Sequence, residues 1–432
     1  MVWPTVATIE VYRRARWQVL GTVTLLGSLR EGVRARTRFD YAIDYVAEVG
    51  LEDDAAPHEA ATVTCPVSFE PYDFDSWPPF LLDLVPQGTW REVLEKRLKV
   101  SGDSAFWPLL LHGAGNPPGN LRIQSAAPSG AAEGHPGFPE QVVAEQGRDF
   151  LEYARETGAP VSGSSGAQGQ APKYLLRRDR NQRWHANGAL SDADTELCAI
   201  VKFPRTDSEI DRLILQTECA YWQVARWFGL QVAEPLRLCQ DALFVPRFDR
   251  VCRDGVVLRR GLESLCSAAD FAEFSASIPQ RTLLETIARH SVAPQLDIEE
   301  FLRRDVLNLA LGNVDNHARN SALLKSAGED DDADPIRLSP LFDFAPMYLD
   351  SRRIVRLCRW KDEKTHGPDW VSLFVDLEQA GHIGDARALR DELAEKLTAL
   401  PQALIDHDVP QRVREDRRTE IDAILKTLET RS

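Results

Sequence analysis

Apolar residues recur at three- and four-residue spacing from Ile298 to Leu311, and the pattern stops at Gly312-Asn313-Val314-Asp315-Asn316-His317-Ala318-Arg319-Asn320. Glycine closes a helix well because it enters left-handed backbone space without a Cβ clash. The chain must therefore leave a helix at Gly312 and carry Asp315 on a loop. A strand-like Ser321-Ala322-Leu323-Leu324 follows, and Leu341-Phe342-Asp343-Phe344 comes about twenty residues later. An aspartate, an amide five residues on and a second aspartate after a strand are the parts that orient a hydroxyl nucleophile and hold magnesium on a triphosphate. The pattern reads as a phosphotransferase core.

With 432 residues, 43% of them apolar, the chain is too long for one small core and predicts two or three subdomains. A formal charge of -15 argues against a generic phosphate-coating nucleic-acid binder, which needs Lys and Arg to neutralise phosphates. The seven cysteines, Cys65, Cys198, Cys219, Cys239, Cys252, Cys266 and Cys358, show neither CxxC nor Cys/His ligand spacing, so reduced thiols are expected. Met1 to Val11 lacks the pattern of a secretion signal, and no apolar run reaches the roughly 18 residues of a membrane span. A soluble cytoplasmic protein with no membrane partner is the expectation.

Composition divides the chain into three zones, 1–138, 139–246 and 247–432. In the first, Thr8 to Tyr12 and Val19 to Leu26 have the short length and β-branched content of strands. Phe80 to Val85 and Trp90 to Leu98 turn helical around Pro86-Gln87-Gly88, predicting a small α+β unit. The Pro, Gly, Ala and Ser of Ala126 to Gly137 suit a connection.

The second zone opens with a helix-like Glu140 to Thr157, then a loop, Val161-Ser162-Gly163-Ser164-Ser165-Gly166-Ala167-Gln168-Gly169-Gln170-Ala171-Pro172. Glycines let backbone N–H groups encircle phosphate oxygens, and serines add donors at little steric cost. Alone, such a stretch is equally a flexible linker. Its neighbours favour a phosphate loop: Tyr174-Leu175-Leu176 and Leu197 to Pro204 read as strands, the second bearing Lys202 near its end. Glu218 follows on an amphipathic helix, Ile210 to Phe228, where an ion pair to Lys202 would fix the ammonium on α/β-phosphates. Each residue taken singly also reads as an ordinary solvated charge. Ala242-Leu243-Phe244-Val245 is a strand running into Pro246-Arg247-Phe248-Asp249-Arg250. Here the backbone around Val245 would be a hinge for adenine, Phe244 or Phe248 would offer apolar contact, and Arg247, Asp249 and Arg250 read as structural ion pairs.

Arg281 to Ala288, Ile298 to Leu311, Asp369 to Gln379, Ala386 to Leu400 and Gln411 to Leu428 show helical spacing, predicting an all-α large lobe. The acidic run Glu329 to Asp334 reads as a solvated turn, because cation loops need spaced ligands and a glycine bend.

In this order, the loop ending Gly166-Ala167-Gln168, Lys202, Glu218, Arg247-Phe248-Asp249-Arg250, the run from Gly312 to Asn320 and Leu338-Ser339-Pro340-Leu341-Phe342-Asp343 resemble HipA-like serine/threonine kinases, the toxins of HipBA-type modules. Leu81 to Gly88 and Gly113 to Arg122 resemble that family's N-terminal subdomain, the latter segment in the manner of its YjjJ-type branch. The resemblance covers most of the chain. It implies a bilobal, protein-kinase-like α+β fold with a small N-terminal α+β subdomain and an all-α C-terminal lobe.

It also implies roles. Asp315 would orient or deprotonate the acceptor hydroxyl; Asn320 and Asp343 would hold magnesium; Lys202 would bind ATP phosphates with Glu218 positioning it. Gly166, Ala167, Gln168, Val245 and Phe248 would contact ATP. His317 reads as a brace for the loop rather than an acid or base. Members of the family autophosphorylate a loop serine, for which Ser164 is favoured over Ser162 and Ser165; the longer link Gly169 to Pro172 before Lys173 departs from the family pattern and bears on that regulation. The resemblance further implies a Ser/Thr protein substrate, of which aminoacyl-tRNA synthetases are the known kind, and a HipB-like antitoxin through which any DNA association would run. Two alternatives stay open: a catalytically silent nucleotide-binding regulator, and a metal-dependent phosphodiesterase or nuclease using Asp315, His317 and Asp343.

Overall fold

The computed structural model describes residues 2–50, 56–127, 134–156, 171–328, 331 and 333–429. Strands β1 (Val6–Arg13) and β2 (Arg16–Leu25) form a hairpin whose turn residues Arg14 and Ala15 have φ of 49° and 58°, the left-handed turn that matches strand twist. With β3 (Thr37–Tyr41), β4 (Tyr72–Phe74) and β5 (Leu121–Ile123) they make an antiparallel sheet ordered β4-β3-β2-β1-β5. Helix α1 (Ile43–Val49) follows β3, and α2 (Phe80–Leu84), α3 (Gly88–Leu98) and α4 (Phe106–Gly113) lie between β4 and β5. Their shared core includes Ile9, Leu20, Phe39, Trp77, Leu81 and Leu110.

Next come α5 (Glu140–Ala144) and α6 (Arg148–Glu156). The single helix expected over this stretch is broken where Gln146 takes a φ of 51°. A second antiparallel sheet holds β6 (Lys173–Asp179), β7 (Trp184–Ala186), β8 (Thr195–Lys202), β9 (Arg237–Cys239) and β10 (Ala242–Pro246) in the order β7-β6-β8-β10-β9. Strand periodicity sorts its faces. Ala199, Val201 and Phe203 enter a core with Phe150 and Phe138, whereas Lys202 points the other way.

Between β8 and β9 runs α7 (Glu209–Phe228), whose Ser208 side chain caps Asp211 N–H and whose helix stops at left-handed Gly229. Its buried face carries Leu215, Tyr221, Trp222, Ala225 and Phe228 at three- and four-residue spacing, and Glu218 is buried among them. A carboxylate there needs a cation to offset its desolvation.

The large lobe contains the hairpin β11 (Arg250–Arg253) and β12 (Val256–Arg259), then β13 (Gly261–Ser264), α8 (Leu265–Ala268), α9 (Gln280–His290) and α10 (Pro294–Leu311). After the Gly312 loop come β14 (Ala322–Lys325), β15 (Ile336–Leu338), α11 (Trp370–Gln379), α12 (Ala386–Asp406) and α13 (Gln411–Glu429). The five expected helices are all present. Alongside them β13, β14 and β15 form a three-stranded sheet, so this lobe is mainly rather than wholly helical. Its largest core joins Phe228 and Tyr221 of α7 to Leu307, Leu311, Leu393, Leu397 and Ile424. Among the described residues no helix is long and apolar enough to cross a membrane.

Buried polar contacts fasten the N-terminal unit to the rest. Glu263 accepts from Thr62 Oγ1 at 2.5 Å and Val63 N at 3.0 Å and pairs with Lys325 at 2.7 Å. Asp249 accepts from Gly119 N at 2.7 Å while two arginines, Arg247 and Arg250, hold it at 2.5 and 2.9 Å, the structural role expected of that trio. Of the acidic run, Asp331 is a described residue; it forms a bidentate pair with Arg260 at 2.6 and 2.7 Å, so the solvated-turn reading fails at that position.

Candidate active site

Strand register begins the site. Lys173 on β6 lies opposite Lys202 on β8, so two ammonium groups share one face of the sheet. Like charges so placed repel unless an anion lies between them. Asp343 supplies it: its carboxylate bonds Lys202 Nζ directly and sits 3.6 Å from Lys173 Nζ. Glu218 of α7 meets the same Lys202 Nζ at 2.5 Å. Burial works against the Lys202 charge, yet Asp343 and then Glu218 outweigh it and raise its pKa. For Asp343 burial is likewise overcome, by Lys173 and Lys202, and its pKa falls. Asp343 has a φ of 52°, a conformation uncommon outside glycine, asparagine and aspartate.

Across the cleft, the end of α10 is tied down group by group. Arg417 of α13 donates to the Leu309 and Ala310 carbonyls, both at 2.9 Å, and Tyr221 Oη donates to Leu311 O at 2.9 Å, satisfying the orphan carbonyls of a helix end. Gly312 adopts a φ of 71°, and a Cβ there would meet Tyr348 Cδ1 at 2.6 Å. Asn316 Nδ2 donates to buried Asp305 at 3.1 Å, and Asp305 is held by Arg356 and the Trp360 indole.

Within the loop, Asn320 Nδ2 donates to the Asp315 carbonyl at 2.7 Å. This leaves Asn320 Oδ1 buried and without a hydrogen-bond partner. Burial, and then the charge of Asp343, push the Asp315 carboxyl up to about 7. The His317 Nδ1 accepts from Arg319 N at 3.2 Å and its Nε2 lies 3.7 Å from Asp315 Oδ1; burial drives this imidazole down to about 4. It is a neutral ring fixed by its own loop.

Lys202, Glu218, Asp315, Asn320 and Asp343 thus line one cavity together with Lys173, His317, Asp350 and Arg352. Val245 and Phe248, at the exit of β10, do not line it. The Phe248 ring instead lies 5.7 Å from Phe342, while Phe244 is buried against Trp184 at 5.0 Å, which removes Phe244 from the pair expected near adenine. Ser162, Ser164, Ser165, Gly166, Ala167 and Gln168 lie outside the described residues. Sequence reading passed over Lys173, Asp350 and Arg352 as functional candidates. Lys173 had a signal, being the first residue of a strand next to the one that bears Lys202; Arg352, paired with Asp350 at 2.8 Å, had none.

Two lobes meeting in this way define a protein-kinase-like α+β fold. Comparison with known proteins is more particular: the HipA-like C-terminal domain matches residues 165–404, and the HipA N-terminal domain matches residues 18–124. The chain belongs to the HipA family. A protein of Sinorhizobium fredii (strain NBRC 101917 / NGR234) named "Putative kinase Y4mE" is 26% identical over 318 residues, covering 69% of this chain and 70% of the relative. HipA of Shewanella oneidensis MR-1, solved with HipB and its operator DNA, has a similar fold, with a TM-score of 0.61, 18% identity and coverage of 98% of this chain and 95% of that one.

Proposed function

We propose that this chain is an ATP- and magnesium-dependent serine/threonine protein kinase of the HipA type. One observation carries the reading: Lys202, held by Glu218, faces Asp343 in the same cavity that receives Asp315 and Asn320. Lysine and glutamate so paired form a phosphate clamp, and the two aspartates and the amide answer to nucleophile and metal.

The residues fit magnesium. Asn320 Oδ1 is a buried acceptor lacking a donor, and Asp343, whose pKa is lowered, lines the same cavity with its carboxylate; both are hard oxygen ligands. Magnesium there would neutralise charge on the transferring phosphoryl group. Lys202 and Lys173 would bind the phosphates. Asp315 would orient the acceptor hydroxyl and take its proton, with Asn320 Nδ2 holding the loop backbone and His317 bracing it. A metal nuclease built on Asp315, His317 and Asp343 is disfavoured, because these do not form a metal-holding cluster of three or more such side chains.

The rest of the reading follows from family likeness. The acceptor is a serine or threonine of a translation-related protein, with an aminoacyl-tRNA synthetase as the first candidate. A phosphate on Ser164, Ser162 or Ser165 would add about -1.5 to -2 charge and repel the nucleotide, which would switch the enzyme off. A HipB-like antitoxin is the proposed partner, supported by the HipB present in the Shewanella complex, and the proposed compartment is the cytoplasm. Phosphopeptide mass spectrometry of cells expressing the native and Asp315→Ala forms tests the acceptor and the loop phosphorylation together. Phosphosites present only with the native form support it. Identical phosphopeptides in both would refute it and leave a nucleotide-binding regulator as the better reading.

A further inference from the structure

Arg319 and Asn320 are neighbours that face opposite ways. Asn320 lines the cavity, while the Arg319 side chain, 2% exposed, runs out behind the loop to Asp83 on α2 of the N-terminal unit, 236 positions earlier in the chain. The two bond directly. Asp83 also accepts from Ser264 N at 3.0 Å and Ser264 Oγ at 2.8 Å.

Ser264 is the N-cap of α8, accepting from Ser267 N at 3.1 Å. The first two amides of that helix bind the nucleotide-facing loop on either side of Arg319: Leu265 N donates to Ser321 O at 2.8 Å and Cys266 N to Ala318 O at 3.1 Å. One carboxylate therefore holds the loop twice, through the Arg319 guanidinium and through the capped helix that grips the flanking carbonyls. Without it, Arg319 would keep the Glu273 carbonyl at 3.3 Å and the Phe274 ring at 5.4 Å, neither of which carries a compensating charge.

We propose that Asp83 is a positioning residue for phosphotransfer, and that through it the N-terminal unit is a working part of the active site. Asp83 touches neither nucleotide nor acceptor. It acts on the placement of Asp315 and Asn320, and a displacement near 1 Å at such groups lowers rate by about 10²-fold. This rests on the kinase reading above.

The test uses the full chain, with Asp83→Asn and the double variant Asp83→Asn/Arg319→Met, and [γ-32P]ATP. Expected for Asp83→Asn is a fall in kcat of about 10²-fold with KM for ATP within about threefold. Amide hydrogen exchange should accelerate over residues 313–322 and stay unchanged in α10. In the double variant no buried charge is left unpaired, so folding stability should recover while kcat stays low. Recovery of kcat along with stability would reduce Asp83 to a structural role and overturn the proposal. So would native kcat and native exchange in Asp83→Asn. Absence of phosphotransfer by the native protein would sink the kinase reading instead, and exchange over 313–322 would still decide whether Asp83 anchors the loop.

Discussion

Replacing Glu218 by glutamine removes one of the two carboxylates on Lys202 and keeps the side-chain shape. Stranding a buried ammonium altogether costs about 3–5 kcal/mol. Lys202 is not stranded, because Asp343 still bonds it. What is lost is one hydrogen bond between charged groups, about 1.5–3 kcal/mol, and a glutamine carbonyl oxygen can still accept from Nζ. Relief of the desolvation that raises the pKa of Glu218 offsets part of the remainder. A destabilisation near the low end, about 1.5 kcal/mol, is therefore expected in urea unfolding followed by tryptophan fluorescence. Activity should fall further, about 10²-fold, since Lys202 is then held by Asp343 alone and is drawn toward the proposed metal ligand. The magnesium concentration needed for half-maximal phosphotransfer should rise. Native stability with native phosphotransfer would show that Glu218 does not hold Lys202, and a loss of about 4 kcal/mol or more, near the full cost of a stranded charge, would show that Asp343 does not share the lysine.

Asn320→Ala removes both the tether to the Asp315 carbonyl and the unpartnered oxygen; phosphotransfer should drop at least about 10²-fold and need more magnesium, and an unchanged magnesium titration would contradict the ligand assignment. Asp249 has a lowered pKa because, although burial opposes its charge, Arg247 and Arg250 outweigh it. A lowered folded-state pKa contributes stability that is complete above the unfolded value of about 4 and lost as pH falls through the folded value. Asp249→Asn should cost about 3–5 kcal/mol at neutral pH, with the gap to native narrowing in urea unfolding below about pH 4; a gap independent of pH would contradict this.

The order of elements was legible where local physics decides them. Lys202 ends a short apolar strand, Glu218 lies on a helix with a clear apolar stripe, and Gly312 stops α10, so periodicity and capping alone put these residues where the structure has them. Lys173 was harder, because its importance comes from β6–β8 register, which depends on cross-strand packing rather than on its own neighbours. The sheet of β13, β14 and β15 is built from strands of three or four residues, too short for alternation to show. Gln146 carries no breaker signal of its own; its left-handed φ belongs to a helix end closed by Gly147 N donating to Val142 O at 3.0 Å, so the signal was the neighbouring glycine. Asp83 and Arg319 meet across 236 positions, and neither carries any local mark of the other. Asp331 was read with its acidic neighbours, while its pairing is set by Arg260, 71 positions away.

Transfer of 32P from [γ-32P]ATP to protein, with native and Asp315→Ala forms side by side and ATP binding measured on both, decides whether Asp315 serves phosphotransfer. Magnesium-dependent labelling by the native chain is expected, with its abolition in Asp315→Ala and comparable ATP affinity in the two, because the pairing of Lys202 with Glu218 and Asp343 is untouched. Equal labelling by both forms, or none by the native chain despite bound ATP, would contradict it.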